Sequence, residues 1–216
     1  LGRTSHELVQ VFADNRTVLM GDHYTNGGLF MFVADKEKDL SAGTLYVAKY
    51  VTTLTDTTAG KISWIKLGHA SSLEIENLIK SGIKATDIFE SKLQLVKYPS
   101  DATADEKSAI DATAPTAEQK TLADAAKARL KTQQTAQKAD LEAQGFKFTY
   151  LSKLGVYLKL KDTSDKTKLA AAFLETHRYA ALVGASMALT KNEGTTVNNT
   201  DKRAYSALAN IVDSMV

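Results

Sequence analysis

The sequence predicts a mainly β protein interrupted by helical insertions, on three observations. Five short runs in the first third, "ELVQVFA", "TVLMGDH", "GLFMFVAD", "GTLYVAKYV" and "KISWIKLG", are rich in Val, Leu, Phe and Tyr. The turn-forming stretches "DNRT", "YTNGG", "DKEKDLSAG" and "TDTTAG" separate them, a spacing of short strands that points to a sandwich, barrel or propeller rather than to βαβ units. Residues 101–145 then change composition sharply, to Ala, Lys, Gln, Glu and Asp. After them "FKFTYLSKLGVYLKLK" returns to strand character.

Taken in order, the chain divides into a β unit at residues 1–100, a helical insertion at 101–145 and a return to β structure at 146–216. Within the first unit, "SSLEIENLIKSG" predicts a helix with Ser72 as its N-cap, Glu74 and Glu76 in the first turn and Gly82 as its stop. "KATDIFE" adds a short helical turn. In the insertion, Pro115 precedes Thr116 and Gln119, which form a capping box, and Gly145 closes the second run. Its apolar residues are mostly Ala, with Leu122, Leu130 and Leu141 widely spaced. That spacing predicts an antiparallel helical pair or a long projecting helix, peripheral to the β structure and packed lightly on it. The strongest helix signal runs over about residues 165–182, capped by Ser164 or Asp165, with Leu169, Phe173, His177 and Tyr179 near one face. Strand, loop and strand follow in "MALTKNEGTTVNN" and "RAYSALANI", and Glu193 falls on the loop.

Composition excludes several classes. The 216 residues are 44% hydrophobic and 24% charged, ordinary for a globular protein. A net charge of +2 without a Lys/Arg run leaves no nucleic-acid footprint. No apolar stretch approaches the roughly 20 residues that span a bilayer. The chain has no cysteine, so thiolate ligands and disulfides are absent from it. No HExxH, GxSxG, P-loop or GxGxxG motif occurs.

Three carboxylates sit at strand ends beside glycine or polar turns: Glu7 after His6, Asp22 before His23, and Glu193 before Gly194. Such a setting suits a metal, because glycine lets the backbone approach and loop carbonyls complete an oxygen shell. A solvated turn residue is the commoner role of any one of them. His69 and His177 fit a packing face or the surface better than a metal.

The ordered set "LGRTSHE", "TVLMGD", "GGLFMFVADKEKDLSAGTLYVAKY", "WIKL" and "KNEGTTVN" followed by "DKRAY" resembles the PhoX-type bacterial alkaline phosphatase family. The resemblance covers residues 1 to about 70 and about 165 to 216, with the Ala/Lys/Gln-rich stretch as an insertion between them. It implies a six-bladed β-propeller, exported to the periplasm by the twin-arginine route, that hydrolyses phosphate esters at an iron and calcium cluster on the propeller axis. Glu7 matches the acid of the family's Gly-Arg-x-x-His-Glu motif, a metal ligand, and Glu193 matches the calcium-binding acid of its Arg-x-Glu-Gly motif. Asp22 matches the first acid of a Gly-Asp-Asp turn, a weaker metal assignment. His23 stands where the second acid of that turn is usual. Lys191 stands where the phosphatases have Arg, so a phosphate contact there would be a point charge rather than a bidentate grip.

Two alternatives keep the propeller. One is a non-catalytic binding or structural protein with the helical insertion as its contact arm; the other is a calcium-dependent lactonase or phytase-like propeller. Under all three the chain has strands for about three blades, each of roughly 40–50 residues. It is therefore expected to be a segment of a longer propeller, completed by the same chain or a cleaved one, with the iron-ligating cysteine of the family lying before residue 1. Glu7 and Glu193 are expected within a few ångströms of a common ion.

Overall fold

The computed structural model describes residues 1–51, 61–151 and 153–211. The expected "TDTTAG" turn and the chain end at 212–216 lie outside the described residues. Strand exceeds helix, 39% against 32%, and every described sheet is antiparallel. Among the described residues no sheet closes into a barrel.

The first five strands form one meander in sequence order: β1 (His6–Val11), β2 (Thr17–Asp22), β3 (Leu29–Lys36), β4 (Asp39–Tyr50) and β5 (Ile62–Ser71). Side chains alternate across a strand, so this sheet offers two faces, and both are apolar in its centre. One presents Val18, Met20, Phe30, Phe32, Leu45, Val47 and Leu67 to Ala172, Phe173 and Ala180. The other presents Leu19, Leu29 and Ala48 to Ala188 and Leu189. The first layer of cover comes from α5 (Asp165–Leu174) and α6 (Thr176–Leu182), the second from the hairpin of β9 (Leu189–Asn198) and β10 (Arg203–Ile211).

Helix α1 (Ser72–Lys80) starts one residue earlier than expected, because the cap is Ser71. Its hydroxyl accepts from Glu74 N at 3.3 Å, while Glu74 Oε2 accepts from Ser71 N at 2.8 Å. A capping box needs its acid three residues after the cap, and that spacing selects Ser71 over Ser72. After α2 (Ala85–Ile88) comes a three-stranded sheet of order β6 (Phe89–Leu93), β8 (Leu154–Leu160), β7 (Lys147–Leu151). Its Phe89, Val156 and Leu158 pack on Ala170 and Ala171 of α5. The run Ala170–Ala172 thus lies between two sheets, and methyl side chains let both approach.

The insertion holds α3 (Ala104–Asp111) and α4 (Ala117–Ala143), with the Thr116–Gln119 box at the start of α4. Arg129 of α4 reaches back to Glu106 at 2.8 Å and to Asp101 at 3.1 Å, so the two helices run antiparallel. Leu141 of this arm packs against Phe146 and Tyr157, and Gln137 Nε2 donates to Leu93 O of β6 at 2.9 Å. No helix among the described residues is long and apolar enough to cross a membrane.

Ion pairs and hydrogen bonds to carboxylates also tie this arm together. The Arg129 guanidinium lowers the Glu106 carboxyl below its ordinary range. Gln133, with Arg129, lowers Asp101, and the Tyr98 hydroxyl, with Lys97, lowers Asp111. Each of these carboxylates is therefore more acidic folded than unfolded. The stability they give is present at neutral pH and is lost as pH falls through their folded range, below about 4. Acidification should accordingly reduce ellipticity at 222 nm before the Trp64 fluorescence of the β meander changes. Simultaneous transitions would show that the arm is not independently held.

The sequence places one continuous helix over about 165–182. The structure breaks it at Glu175, whose φ of −131° and ψ of 41° are not helical. Buried Thr176 turns its hydroxyl back to Ala172 O at 2.6 Å, a local bond that competes with continued helix. His177 consequently leaves the Leu169–Phe173 face and meets the end of β2.

Candidate metal centre

Two of the three carboxylates singled out by the sequence, Glu7 and Glu193, sit at irregularities in strand pairing. In β1, His6 pairs with Asp22 but Val9 pairs with Met20, so Glu7 and Leu8 together oppose Gly21. In β9, Gly194 pairs with Ala207 and Asn192 with Leu208, leaving Glu193 as the extra residue. These are β-bulges, which bend a strand and re-aim a side chain. The expected loop at Glu193 is thus a bulge within β9. The connecting turn comes later, where Asn198 Oδ1 accepts from Thr200 N at 3.0 Å and Lys202 adopts φ 56°.

β9 crosses β2 closely because residue 21 is glycine. A Cβ there would stand 2.3 Å from Asn192 Cγ, inside contact distance. The Asn192 amide is itself 1% exposed, with neither its nitrogen nor its oxygen hydrogen-bonded. Gly27 and Leu189 exchange two backbone bonds, at 3.0 and 3.1 Å, which fix β9 to the loop after β2.

The result is a cluster of three. One ligand atom from each of Glu7, His23 and Glu193 lies within 4.8 Å of the other two, although Glu7 and Glu193 are 186 positions apart. His23 Nε2 stands 3.5 Å from Glu193 Oε2. His23 is half-buried and both glutamates are exposed. Two carboxylates and an imidazole offer an oxygen-rich, mixed ligand set. Two like charges this close repel, and a cation between them relieves the repulsion.

Asp22 does not join this cluster. It is 0% exposed. Its Oδ2 accepts from His177 Nδ1 at 2.6 Å, and its Oδ1 accepts from Ser5 N at 3.2 Å and Tyr24 N at 3.4 Å. Lys191, two residues before Glu193, is exposed and adopts φ 50°; its amide donates to Tyr24 O at 3.3 Å.

Two histidines took roles that the sequence does not mark. His23 replaces an expected acid yet supplies a nitrogen donor at the cluster. His177 lies 155 positions from Asp22, and no local pattern connects them. Its imidazole stacks edge-on to Tyr24 at 5.1 Å and lines a cavity of about 410 Å³ with Arg3, Glu175 and Arg178. Comparison with family models, with curated proteins and with solved structures finds no match to this chain.

Proposed function

We propose that this chain carries part of a metal-dependent, phosphatase-like site acting on phosphate esters, in a six-bladed β-propeller of the PhoX-like kind exported to the periplasm. The observation that carries the reading is the meeting of Glu7, His23 and Glu193 within 4.8 Å, on two bulges far apart in sequence. The donor set fits iron, which accepts carboxylate oxygen and imidazole nitrogen alike. For calcium, Glu7 and Glu193 fit and His23 does not, since that ion takes an all-oxygen shell. Bound there, the metals would supply positive charge to stabilise a phosphoryl transition state and to activate an oxygen nucleophile.

The chain's own residues do the rest. Glu7 and Glu193 hold charge at the site, and the bulges fix where their carboxylates stand. Lys191 contributes a point charge towards a phosphate group, without the planar fork of an arginine. The propeller part of the reading draws support from the hairpin face of the meander. There β9 and β10 leave a cavity of about 790 Å³ walled by Phe12, Met31, Tyr50, Ile62 and Trp64. Among the described residues β10 pairs only with β9. Further strands of the same propeller would cover both the apolar wall and the free edge.

One observation favours a second reading. The α3–α4 arm meets the β layers near Leu141 and Gln137 and exposes most of its length, which suits a non-catalytic propeller with a helical contact arm. Elemental analysis of the purified protein, with hydrolysis of p-nitrophenyl phosphate, decides between them. Iron with calcium and measurable hydrolysis is expected. A metal-free, fully folded protein without hydrolysis would move the assignment to the binding or structural reading.

A further inference from the structure

The cluster that defines the site is exposed, yet the residue before His23, Asp22, is buried and paired with half-buried His177. Asp22 ends β2, is followed in the chain by His23 and pairs across the sheet with His6, the neighbour of Glu7. Its carboxylate joins three segments: the stretch before β1 through Ser5 N, the loop after β2 through Tyr24 N, and α6 through His177 Nδ1. Two of these segments are tied to the cluster. His23 N donates to Ser5 O at 2.9 Å, and Lys191 N donates to Tyr24 O at 3.3 Å two residues before Glu193. The segment before β1 is held a second time by α6, where Arg3 N donates to Thr176 Oγ1 at 2.8 Å. The donor to Asp22 fixes the imidazole tautomer, with hydrogen on Nδ1. Nε2 has no hydrogen-bond partner among the described residues.

We infer that Asp22 and His177 are a positioning pair, which holds the β1 and β9 bulges so that the Glu7 and Glu193 carboxylates meet. The physical reason is the cost of an unpaired buried carboxylate. Without the His177 donor, Asp22 keeps only two longer backbone bonds at 0% exposure, and the three segments lose the bond that joins α6 to the other two at this carboxylate. The backbone that aims both glutamates would move with them. The consequence for ion binding rests on the metal reading above; the geometric claim does not.

The test exploits a chain without cysteine. Glu7→Cys with Glu193→Cys places two thiols at the cluster, and the rate of their cross-linking by dibromobimane reads effective concentration with no metal present. Added His177→Phe should slow cross-linking about tenfold or more, the scale at which outer-shell partners act on metal ligands. His177→Asn restores a donor near the Nδ1 position and should return the rate to within about threefold of the parent, following the same scale. Asp22→Asn, which keeps the side chain's shape, should slow it as His177→Phe does, and it carries the comparison if the Phe variant fails to unfold cooperatively. An unchanged rate in either variant overturns the inference. So does a fall that His177→Asn does not restore, because loss of the donor to Asp22 would then not account for it. Co²⁺ titration of the unsubstituted protein reports separately on the ion: no binding there sinks the metal reading and leaves the cross-linking result standing.

Discussion

Glu7→Gln combined with Glu193→Gln should reduce the affinity for a divalent metal by at least about 100-fold, beyond the 10–100-fold typical of changes behind the ligands. Gln preserves the volume of each side chain and removes its charge, so the bulges have no steric reason to rearrange. What is lost is two anionic oxygen donors within 4.8 Å of His23. Hydrolysis of p-nitrophenyl phosphate should fall with metal content, and adding excess iron or calcium should not restore it. Thermal stability should hold or rise slightly, because two exposed like charges no longer repel. Isothermal titration with Mn²⁺ and Co²⁺, set beside thermal unfolding, measures both quantities. Retained affinity in the double variant would remove Glu7 and Glu193 from the site.

Phe30→Ala should cost about 3–5 kcal/mol, the range for deleting a buried aromatic ring and leaving a cavity. Phe30 lies in β3, the middle strand of the five, and is 0% exposed. It belongs to the layer between the meander and the α5–α6 pair, with Phe32, Val47 and Phe173 around it. β3 is hydrogen-bonded to a strand on each side, so the backbone has little freedom to collapse into the hole. Denaturant unfolding of this variant should show a lower midpoint with an unchanged slope. Leu93→Ala is the control: at 62% exposed on β6, it should change stability by less than about 0.5 kcal/mol. Equal effects at the two positions would mean that the meander is not the stability core.

The sequence by itself determined the local elements. Short apolar runs punctuated by turn residues set the five strands of the meander, because a strand between two apolar layers needs Val, Leu and Phe whatever lies beyond it. Thr116 with Gln119 fixed the start of α4, and Gly82 and Gly145, at φ 71° and 85°, mark the ends of α1 and α4. These features depend on neighbours within four residues, so they are readable in the chain. The placement of Glu7 and Glu193 could be stated only through their motifs. Tertiary structure decided the rest. The bulges at both acids appear only when each strand is paired with its partner, since a bulge is a mismatch between two strands. The close crossing of β9 over Gly21 needs both Gly21 and Asn192 in place. The turning of Asp22 inward to His177 and the arrival of His23 beside Glu193 depend on contacts spanning 155 positions or more. A hydrogen bond or an ion pair of that separation leaves no periodicity in sequence, because its geometry is set by the packing of the two sheets against α5 and α6.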